Sequence, residues 1–435
     1  MADGRGERSA TRSTALVGIG LIVLGVSASA FLVLAGRAVG ARDFTALAVL
    51  WTLVYTVGLG LFVPFEQEVS RAVAHRVADG QGVRPVVLRT AQLALALLAV
   101  TTVLTLAAYP VVIGWLDGWS FHVAMFLLAC ACLAAQYISR GLFSGTGHFG
   151  SYAVQLGTEG AVRLLGCTAL LLLHVSDPRP YAALLAVSPL LSLLVTLPAM
   201  LRLWGSPGPP AALAEVSVNL GWLLGSSLSA QGLANLGTLA IRVLTPDTEA
   251  AAAGHFLAGF TIARSPLFLF AAVQAVLLPS MVGQLARGHL EQFRRRLRLT
   301  LLVTAGIAGA GVVGSLAIGP WVLGLFFGEG YVMSRQDMTF LAFSTGIYML
   351  ALVLQPALIA MSRHRANAIG WLCGVAAFGL VLVLPVDPFL VVEIGLTVGA
   401  LVAVALLLWS VTHHADTLAA GHEETDTATY RLGME

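Results

Sequence analysis

Long apolar stretches constrain the fold of this chain most strongly. The hydrocarbon core of a bilayer needs about 20 predominantly apolar residues per helix, and twelve stretches of the chain are suited to cross it. The hydrophilic segments between them are short, so the sequence predicts an all-α polytopic membrane protein with no soluble domain between its spans. The predicted spans are 14–36, 43–65, 86–113, 119–142, 150–174, 180–203, 216–243, 250–281, 297–324, 338–361, 364–385 and 388–410.

Composition excludes a water-soluble protein. Hydrophobic residues make up 58% of the 435 residues and charged residues only 11%, whereas the surface of a soluble domain is about 25–35% charged. All 24 basic residues are arginine, which together with abundant Ala, Leu, Gly and Val is typical of a GC-rich bacterial genome. The net charge of +2 gives no indication of a nucleic-acid partner, and we expect none.

The arginines predict the orientation of the spans. With the N-terminus inside, 17 arginines fall in cytoplasmic segments and five in external ones. Because cytoplasmic segments of membrane proteins are enriched in Lys and Arg, we expect both termini on the cytoplasmic side of a bacterial inner membrane. The acidic tail, 411–435, is predicted to be disordered and cytoplasmic.

A phrase near the N-terminus returns 200 residues later. Residues 24–30 read LGVSASA and residues 224–230 read LGSSLSA, while Arg42 and Thr45 match Arg242 and Thr245 at the same offset. The first copy resembles a signal-peptide cleavage site, but its apolar run continues past it and its counterpart lies in mid-chain. An internal duplication explains both copies better.

The duplication predicts two parallel six-helix repeats around a central cavity, since an even number of spans leaves both halves in the same orientation. This architecture is typical of transporters that work by alternating access. The predicted segments are an N-terminal tail (1–13), a first lobe (14–203), a linker (204–215), a second lobe (216–410) and the tail (411–435).

One arginine lies in the middle of a predicted span. Arg264 is 14 residues into the eighth span, about 21 Å along the helix, which places it near the membrane centre. Ionisable residues at that depth usually mark a ligand pathway. Arg264 is therefore a candidate anion ligand facing the cavity, or alternatively a structural partner of a carboxylate or carbonyl.

Two further charges lie four residues apart in the fifth span. Glu159 and Arg163 share one helix face at this spacing. They can form an intrahelical ion pair that lowers the cost of burying both. Alternatively they line the cavity, where Arg163 binds the anion and Glu159 takes a coupling proton or sodium ion.

The seventh span has a polar face. Its residues follow one another at helical spacing and would be costly against lipid. They either form hydrogen bonds between helices or line a hydrophilic cavity. The candidate substrate-binding residues are Ser227, Gln231, Asn235 and Arg242 of this face, together with Arg264 and Arg163. The face comprises Ser227, Gln231, Asn235, Thr238 and Arg242.

Catalytic motifs are not visible. The sequence has no phosphate-binding loop, no HExxH motif and no zinc-type or redox spacing of its four cysteines. We therefore predict no catalytic residue, no metal and no cofactor, and a protein that is not an enzyme.

Three segments resemble a known family. RGLFSGTGHFGSYAVQLGTEGAVRLL (140–165), VLLPSMVGQLARGHLEQFRRRLR (276–298) and LGLFFGEGYV (323–332) resemble span junctions of bacterial polysaccharide flippases. These belong to the multidrug/oligosaccharidyl-lipid/polysaccharide exporter (MOP) superfamily. The resemblance extends over nearly the whole chain, although the family's motifs are loose and several members have fourteen spans.

The resemblance implies a function. It implies that two lobes rock to carry a polyprenyl-diphosphate-linked glycan from the inner to the outer leaflet, with Arg264 and Arg163 as ligands of the diphosphate. The implied partners are the lipid-linked glycan, membrane lipids and the glycosyltransferases or polymerase of a glycan-assembly pathway. Members that export the peptidoglycan precursor have arginines in the first span, and here that span has none before Arg37, which favours a polysaccharide-type flippase.

Three other functions remain open from the sequence. A cation-coupled multidrug antiporter has the same fold but usually has carboxylates in the first lobe's cavity. An integral membrane polymerase or ligase usually has a large external loop with catalytic residues, and the external loops here are short. A scaffold for a glycan-assembly complex is the remaining alternative.

Overall fold

The computed structural model describes residues 3–204, 207–246 and 249–432. Within these ranges the side chains of 3–15, 250, 268, 269, 271, 272, 275, 276, 279 and 415–432 are not described. The regular structure of the described ranges is entirely helical, as the apolar spans predict.

Fourteen α-helices occur in the described ranges, with a π-helical segment, Val54–Leu59, between the first two. The helices are α1 Asp3–Leu53, α2 Gly60–Ala78, α3 Arg84–Ala107, α4 Tyr109–Trp115, α5 Ser120–Gly145, α6 Phe149–Leu172, α7 Pro178–Trp204, α8 Leu213–Ser217, α9 Leu220–Leu244, α10 Ala250–Ala286, α11 Leu290–Phe327, α12 Arg335–Ala360, α13 His364–Val381 and α14 Pro388–Leu432.

The twelve predicted spans coincide with these helices. The first two spans run through α1, the π-helical segment and α2 and are separated by a kink at Gly40. Gly40 has φ 80°, a left-handed conformation that glycine adopts without steric cost, so it turns the chain where the sequence has a gap between apolar runs. The third span ends in α4, and each later span corresponds to one of α5–α7 and α9–α14.

Seven helical stretches among the described residues are long and apolar enough to cross a membrane. The first of them, Leu16–Ala78, is 63 residues long and contains two predicted spans. Four predicted spans fall in α6, α9, α10 and α13 instead. Of these, α6 and α9 carry polar side chains that include Glu159 and Arg163 in α6 and Gln231 and Asn235 in α9.

The helices pack as two bundles. α1–α7 form the first lobe and α9–α14 the second, with α8 in the segment that joins them. The lobes meet where α1 packs against α10 and where the π-helical segment and α2 pack against α9. At the second contact a Cβ on Gly60 would lie 3.0 Å from the Cα of Leu228, so only a glycine allows the helices this close.

The two ends of the bundle differ in their loops. We call the end with residues 79–83, 207–212 and 361–363 the arginine-rich face, because most arginines lie near it, and the other end the opposite face. At the arginine-rich face, Glu215 of α8 forms a two-point ion pair with Arg76 of α2, through Nε at 2.6 Å and Nη2 at 3.0 Å. The segment between the lobes is thereby held to the first lobe.

The predicted segment boundaries were 1–13, 14–203, 204–215, 216–410 and 411–435. α7 ends at Trp204 and α8 begins at Leu213, and the segment boundaries themselves stay predictions. α14 runs to Leu432, and the side chains beyond His414 and residues 433–435 lie outside the described residues, so the disordered tail stays a prediction. The N-terminal tail also lies outside the described side chains.

Candidate functional site

A cavity of about 550 Å³ lies between the lobes. In the first lobe its wall comes from α1, the π-helical segment, α2, α5, α6 and α7; in the second lobe it comes from α9, α10 and α12. The lining includes residues near the arginine-rich ends of the helices, such as Gln67 of α2 and Ile359 of α12. The cavity therefore extends from mid-membrane toward the arginine-rich face.

Arg264 of α10 faces this cavity, and among the described residues it has no ion pair. Its side chain is buried, with 6% exposure, and its Nε and Nη1 atoms have no hydrogen-bond partner. Its guanidinium instead lies over two aromatic rings, 4.9 Å from the Phe260 centroid and 5.3 Å from the Tyr348 centroid. The rings offset part of the cost of burial through cation–π attraction but leave the N–H donors free.

The position of Arg264 is well defined by its aromatic neighbours. The Tyr348 hydroxyl donates a hydrogen bond of 2.9 Å to the Ala230 carbonyl, and Trp371 packs on the same ring. α9, α10, α12 and α13 therefore all contribute to the support of one guanidinium. A buried cation in a rigid setting with free donors is suited to bind an anion.

The first lobe contains two buried arginines in the opposite situation. Arg163 of α6 donates to one oxygen of Glu159 at 2.5 Å, and Arg140 of α5 donates to the other at 2.7 Å. Gln136 also donates to Glu159, at 2.8 Å, and Arg163 donates to the Tyr55 hydroxyl at 3.1 Å. We call Tyr55, Gln136, Arg140, Glu159 and Arg163 the Glu159 cluster.

Further hydrogen bonds join the Glu159 cluster to the rest of the first lobe. Gln136 donates to Ser192 of α7 at 2.7 Å, and Gln155 donates to Thr196 at 3.0 Å. Nearby, the Tyr152 hydroxyl donates to Glu66 of α2 at 2.7 Å. Burying charges in this way is tolerable only when nearly every partner is in place, so the Glu159 cluster ties the π-helical segment, α5, α6 and α7 together.

The second lobe contributes neutral polar groups to the cavity. Gln231 and Asn235 lie one turn apart on α9, and Gln274 of α10 and Gln355 of α12 face the same space. The Gln355 carbonyl oxygen has no hydrogen-bond partner, whereas Gln274 donates to the Leu352 carbonyl at 3.0 Å. We call these four side chains the amide wall.

The structure brings most of the predicted site residues together. Arg264, Arg163, Gln231, Asn235 and Ser227 all line the cavity. Glu159, the candidate for ion coupling, lines it as well and is paired with Arg163, so both sequence interpretations of this pair describe the same geometry.

Arg242 is the exception and lies at the opposite face, away from the cavity lining. It forms an ion pair of 2.7 Å with Asp117 and donates to the Gly114 carbonyl at 2.9 Å, which joins α9 to the α4–α5 loop. Ser227, Gln231 and Asn235 of the polar face of α9 line the cavity. However, Arg242 is 15 residues from Ser227, about 22 Å along the helix, and this takes it past the cavity.

Sequence reasoning missed several cavity residues. Arg140 was counted with the cytoplasmic arginines, but it is buried, with 3% exposure, and belongs to the Glu159 cluster. A signal was present, since Gln136 and Arg140 are four residues apart on one face of α5. Gln274 and Gln355 had no such signal, because neither has another amide or a charged residue one turn away on its helix.

The cavity is closed at the opposite face. The Tyr331 hydroxyl of the second lobe donates to the Gly36 carbonyl of the first at 2.7 Å, and Phe327 packs against Phe44 with ring centroids 5.5 Å apart. Gly254 of α10 lies directly against the Ala41 backbone. With the Arg242–Asp117 pair, these contacts form what we call the cross-lobe seal.

Comparison with known sequences finds relatives of unknown function. No protein-family model matches the chain. Uncharacterised proteins of Mycobacterium tuberculosis (strain ATCC 25618 / H37Rv) and Mycobacterium bovis are 27% identical to it over 426 residues, covering 93% of each chain. Another uncharacterised M. tuberculosis protein is 29% identical over 197 residues, 44% of each chain.

Comparison with solved structures identifies the fold. A point mutant of the Vibrio cholerae MATE transporter VcmN superposes with a TM-score of 0.65 at 13% identity, covering 94% of this chain and 97% of that one. An outward-facing multidrug resistance MATE family transporter of the MOP superfamily gives 0.67 at 11% identity, covering 94% and 96%. The eukaryotic MATE transporter AtDTX14 gives 0.65 at 14%, covering 94% and 98%.

These matches extend over both lobes. They agree with the predicted all-α, two-lobe membrane architecture. The chain is thus a multi-pass integral membrane protein with a MATE-like fold.

Proposed function

We propose that this protein is a transporter that moves a polyprenyl-linked glycan, joined to its lipid through phosphate, from the cytoplasmic to the outer leaflet by alternating access. The observation behind this proposal is the unpaired Arg264 guanidinium in a cavity between two lobes. An uncompensated cation costs free energy in a membrane, about 2.5–3.5 kcal/mol at a helix centre on insertion scales. A phosphate ligand compensates for that cost with charge-assisted hydrogen bonds.

The amide wall supports a glycan as the group next to the phosphate. Gln231, Asn235, Gln274 and Gln355 present neutral donors and acceptors, which suit the hydroxyl groups of a sugar. The remaining lining is largely apolar, including Leu21, Leu24 and Leu267, and can contact the polyprenyl chain. One cavity thus offers a surface for each part of such an amphiphile.

The cross-lobe seal supports a direction of loading. The cavity reaches toward the arginine-rich face and is sealed at the other. By the positive-inside rule the arginine-rich face is cytoplasmic, with both termini inside. We therefore assign this conformation to the state that receives substrate from the cytoplasmic leaflet of a bacterial inner membrane.

The phosphate linkage predicted by family resemblance is a diphosphate on a polyprenyl carrier. The same resemblance makes glycosyltransferases or a polymerase of a glycan-assembly pathway the expected partners. The diphosphate and these partners are proposals that rest on the resemblance.

Multidrug antiport is the second candidate, because some of the matched structures are described as multidrug resistance transporters. The charges in this cavity argue against a cationic drug. Both carboxylates that line it have partners, Glu159 with two arginines and Glu66 with Tyr152, whereas Arg264 has none. The open charge of the cavity is therefore positive and would repel a cation.

Replacing Arg264 tests the proposal. In cells that depend on this protein for a surface glycan, Arg264→Ala should abolish export and leave its abundance in the membrane unchanged, while Arg264→Lys, which keeps the charge, should retain part of it. Wild-type export by Arg264→Ala would refute the site. Uptake of a cationic dye by vesicles that contain the purified protein, driven by a proton or sodium gradient, would support antiport instead.

A further inference from the structure

The charges that line the cavity form a short inventory. Among the described lining residues, three are arginines and two are carboxylic acids. With both carboxyl groups ionised, the formal charge of the lining is +1. The residues are Arg140, Arg163, Arg264, Glu66 and Glu159.

Within the first lobe these charges sum to zero, because Arg140 and Arg163 are matched by the two carboxylates Glu159 and Glu66, and the single remaining charge is that of Arg264. Arg140 and Arg163 each donate a Nη hydrogen bond to Glu159, and both are buried, with 3% exposure. Arg264 belongs to the other lobe and has no polar partner for Nε or Nη1. The cavity therefore presents one free guanidinium among the described residues.

A phosphodiester and a diphosphate diester place different demands on such a site. The phosphodiester of a polyprenyl-phosphate sugar has one negative charge, and a planar guanidinium can bind its two free oxygens with two parallel hydrogen bonds. A diphosphate diester has two negative charges. The second charge needs a second cation, since a buried charge without a partner is strongly disfavoured.

The two other arginines of the described cavity lining are both in ion pairs. Arg163 and Arg140 are each already paired with an oxygen of Glu159, and Gln136 donates to the same carboxylate. A second phosphate that bound Arg163 or Arg140 would have to displace Glu159 from that arginine, and the first lobe would then hold one more negative charge than it has cations. It would also approach the Glu66 carboxylate in the same cavity.

We infer that the transported lipid is joined to its glycan through a single phosphate, as a polyprenyl phosphodiester, and not through a diphosphate. This inference rests on the proposed function and specifies its substrate class. It departs from the diphosphate that family resemblance implies.

The test compares matched ligands on the intact protein. Full-length protein in lipid nanodiscs is titrated with a short-chain polyprenyl-phosphate hexose, the polyprenyl-diphosphate hexose with the same lipid and sugar, and the uncharged polyprenyl hexoside. Binding is measured by microscale thermophoresis. We expect the phosphodiester to bind at least about tenfold more tightly than either of the others.

Two variants locate the effect. Arg264→Gln should reduce the affinity for the phosphodiester to that of the uncharged hexoside. The double variant Arg140→Gln/Glu159→Gln keeps the formal charge of the cavity at +1 but frees Arg163 from its ion pair, so its affinity for the diphosphate should rise to at least that for the phosphodiester. Thermal unfolding of each variant identifies any loss of fold.

The outcomes separate the two proposals. Equal or tighter binding of the diphosphate by the wild-type protein would overturn the single-phosphate inference and leave the exporter proposal standing. Wild-type binding of none of the three ligands would overturn both. Phosphodiester preference that persists in Arg264→Gln would overturn the assignment of the site.

Discussion

The two lobes bury arginine in opposite ways. In the first lobe, Arg140 and Arg163 share the carboxylate of Glu159 and lie within a hydrogen-bonded network that reaches three helices. In the second lobe, Arg264 lies between the rings of Phe260 and Tyr348, and its Nε and Nη1 atoms have no partner. All three arginines face one cavity.

This difference teaches which charge is available for binding. A buried ion pair must stay complete, because removing one partner leaves the other uncompensated. The Glu159 cluster is therefore a structural element that also lines the cavity. The Arg264 guanidinium has no carboxylate partner among the described residues, so it can bind a ligand that is negatively charged.

The largest expected effect comes from breaking the Glu159 cluster. Glu159→Ala leaves two buried arginines without their shared carboxylate and should reduce the free energy of unfolding by about 3–5 kcal/mol. Thermal unfolding in detergent measures this as a large fall in Tm.

Arg264→Met is the matched control for Glu159→Ala. It removes a buried charge that has no ion-pair partner, so Tm should stay unchanged or rise. A fall in Tm for Arg264→Met equal to that for Glu159→Ala would show that Arg264 is paired in the folded protein and would remove the contrast between the lobes.

Much of the fold follows from hydropathy. The bilayer allows only backbone that satisfies its own hydrogen bonds, so each long apolar run must be helical. The gap between the first two apolar runs even coincides with the kink at Gly40. The repeated LGVSASA and LGSSLSA segments also fall in corresponding helices of the two lobes, α1 and α9.

The partners of the site could not be predicted in the same way. Sequence spacing gives the face of a helix but not the neighbour it meets, so it placed Glu159 beside Arg163 and missed Arg140 on α5. It also grouped Arg242 with the cavity residues by helix face alone, although the 15 residues between Ser227 and Arg242 take it past the cavity and into the cross-lobe seal. The lack of a partner at Arg264 depends on every surrounding helix and has no local signature.

The contrast between the lobes matters for transport only while the cavity that both lobes line is closed at the opposite face. Replacing Gly254 is a test of that closure. A Cβ at Gly254 would overlap the Ala41 carbonyl across the lobe boundary. Gly254→Ala should therefore push the lobes apart there, at a cost of about 1–3 kcal/mol for overpacking, and favour the outward-open state.

Cysteine labelling measures the closure. With the native cysteines replaced by alanine, Ala234→Cys in the cavity wall should react faster with a membrane-impermeant maleimide added outside when Gly254→Ala is present. Gly309→Ala is the control, because a Cβ there meets no atom within 4 Å. Equal labelling rates in the Gly254 and Gly309 variants would mean that α1 and α10 do not form the barrier.

The smallest expected effect concerns the segment between the lobes, which docks mainly on the first lobe. Arg76 donates to both oxygens of Glu215 and holds the pKa of that carboxyl below its usual range. Docking should therefore be complete at neutral pH and weaken as pH falls below the usual glutamate pKa of about 4.3 and through the lowered value. Arg76 also donates to the carbonyls of Gly82 and Pro209, which Glu215→Gln leaves in place.

Because those two carbonyl bonds persist, Glu215→Gln should cost no more than about 1 kcal/mol, as is usual for an ion pair that is partly exposed. Hydrogen exchange of residues 207–217, corrected for the intrinsic effect of pH, measures the docking. Protection in the wild-type protein should decline in acid, whereas in Glu215→Gln it should be lower at pH 7 and nearly independent of pH. Identical pH profiles would show that the carbonyl bonds alone hold the segment, and the first lobe would then retain it without any charge on Glu215.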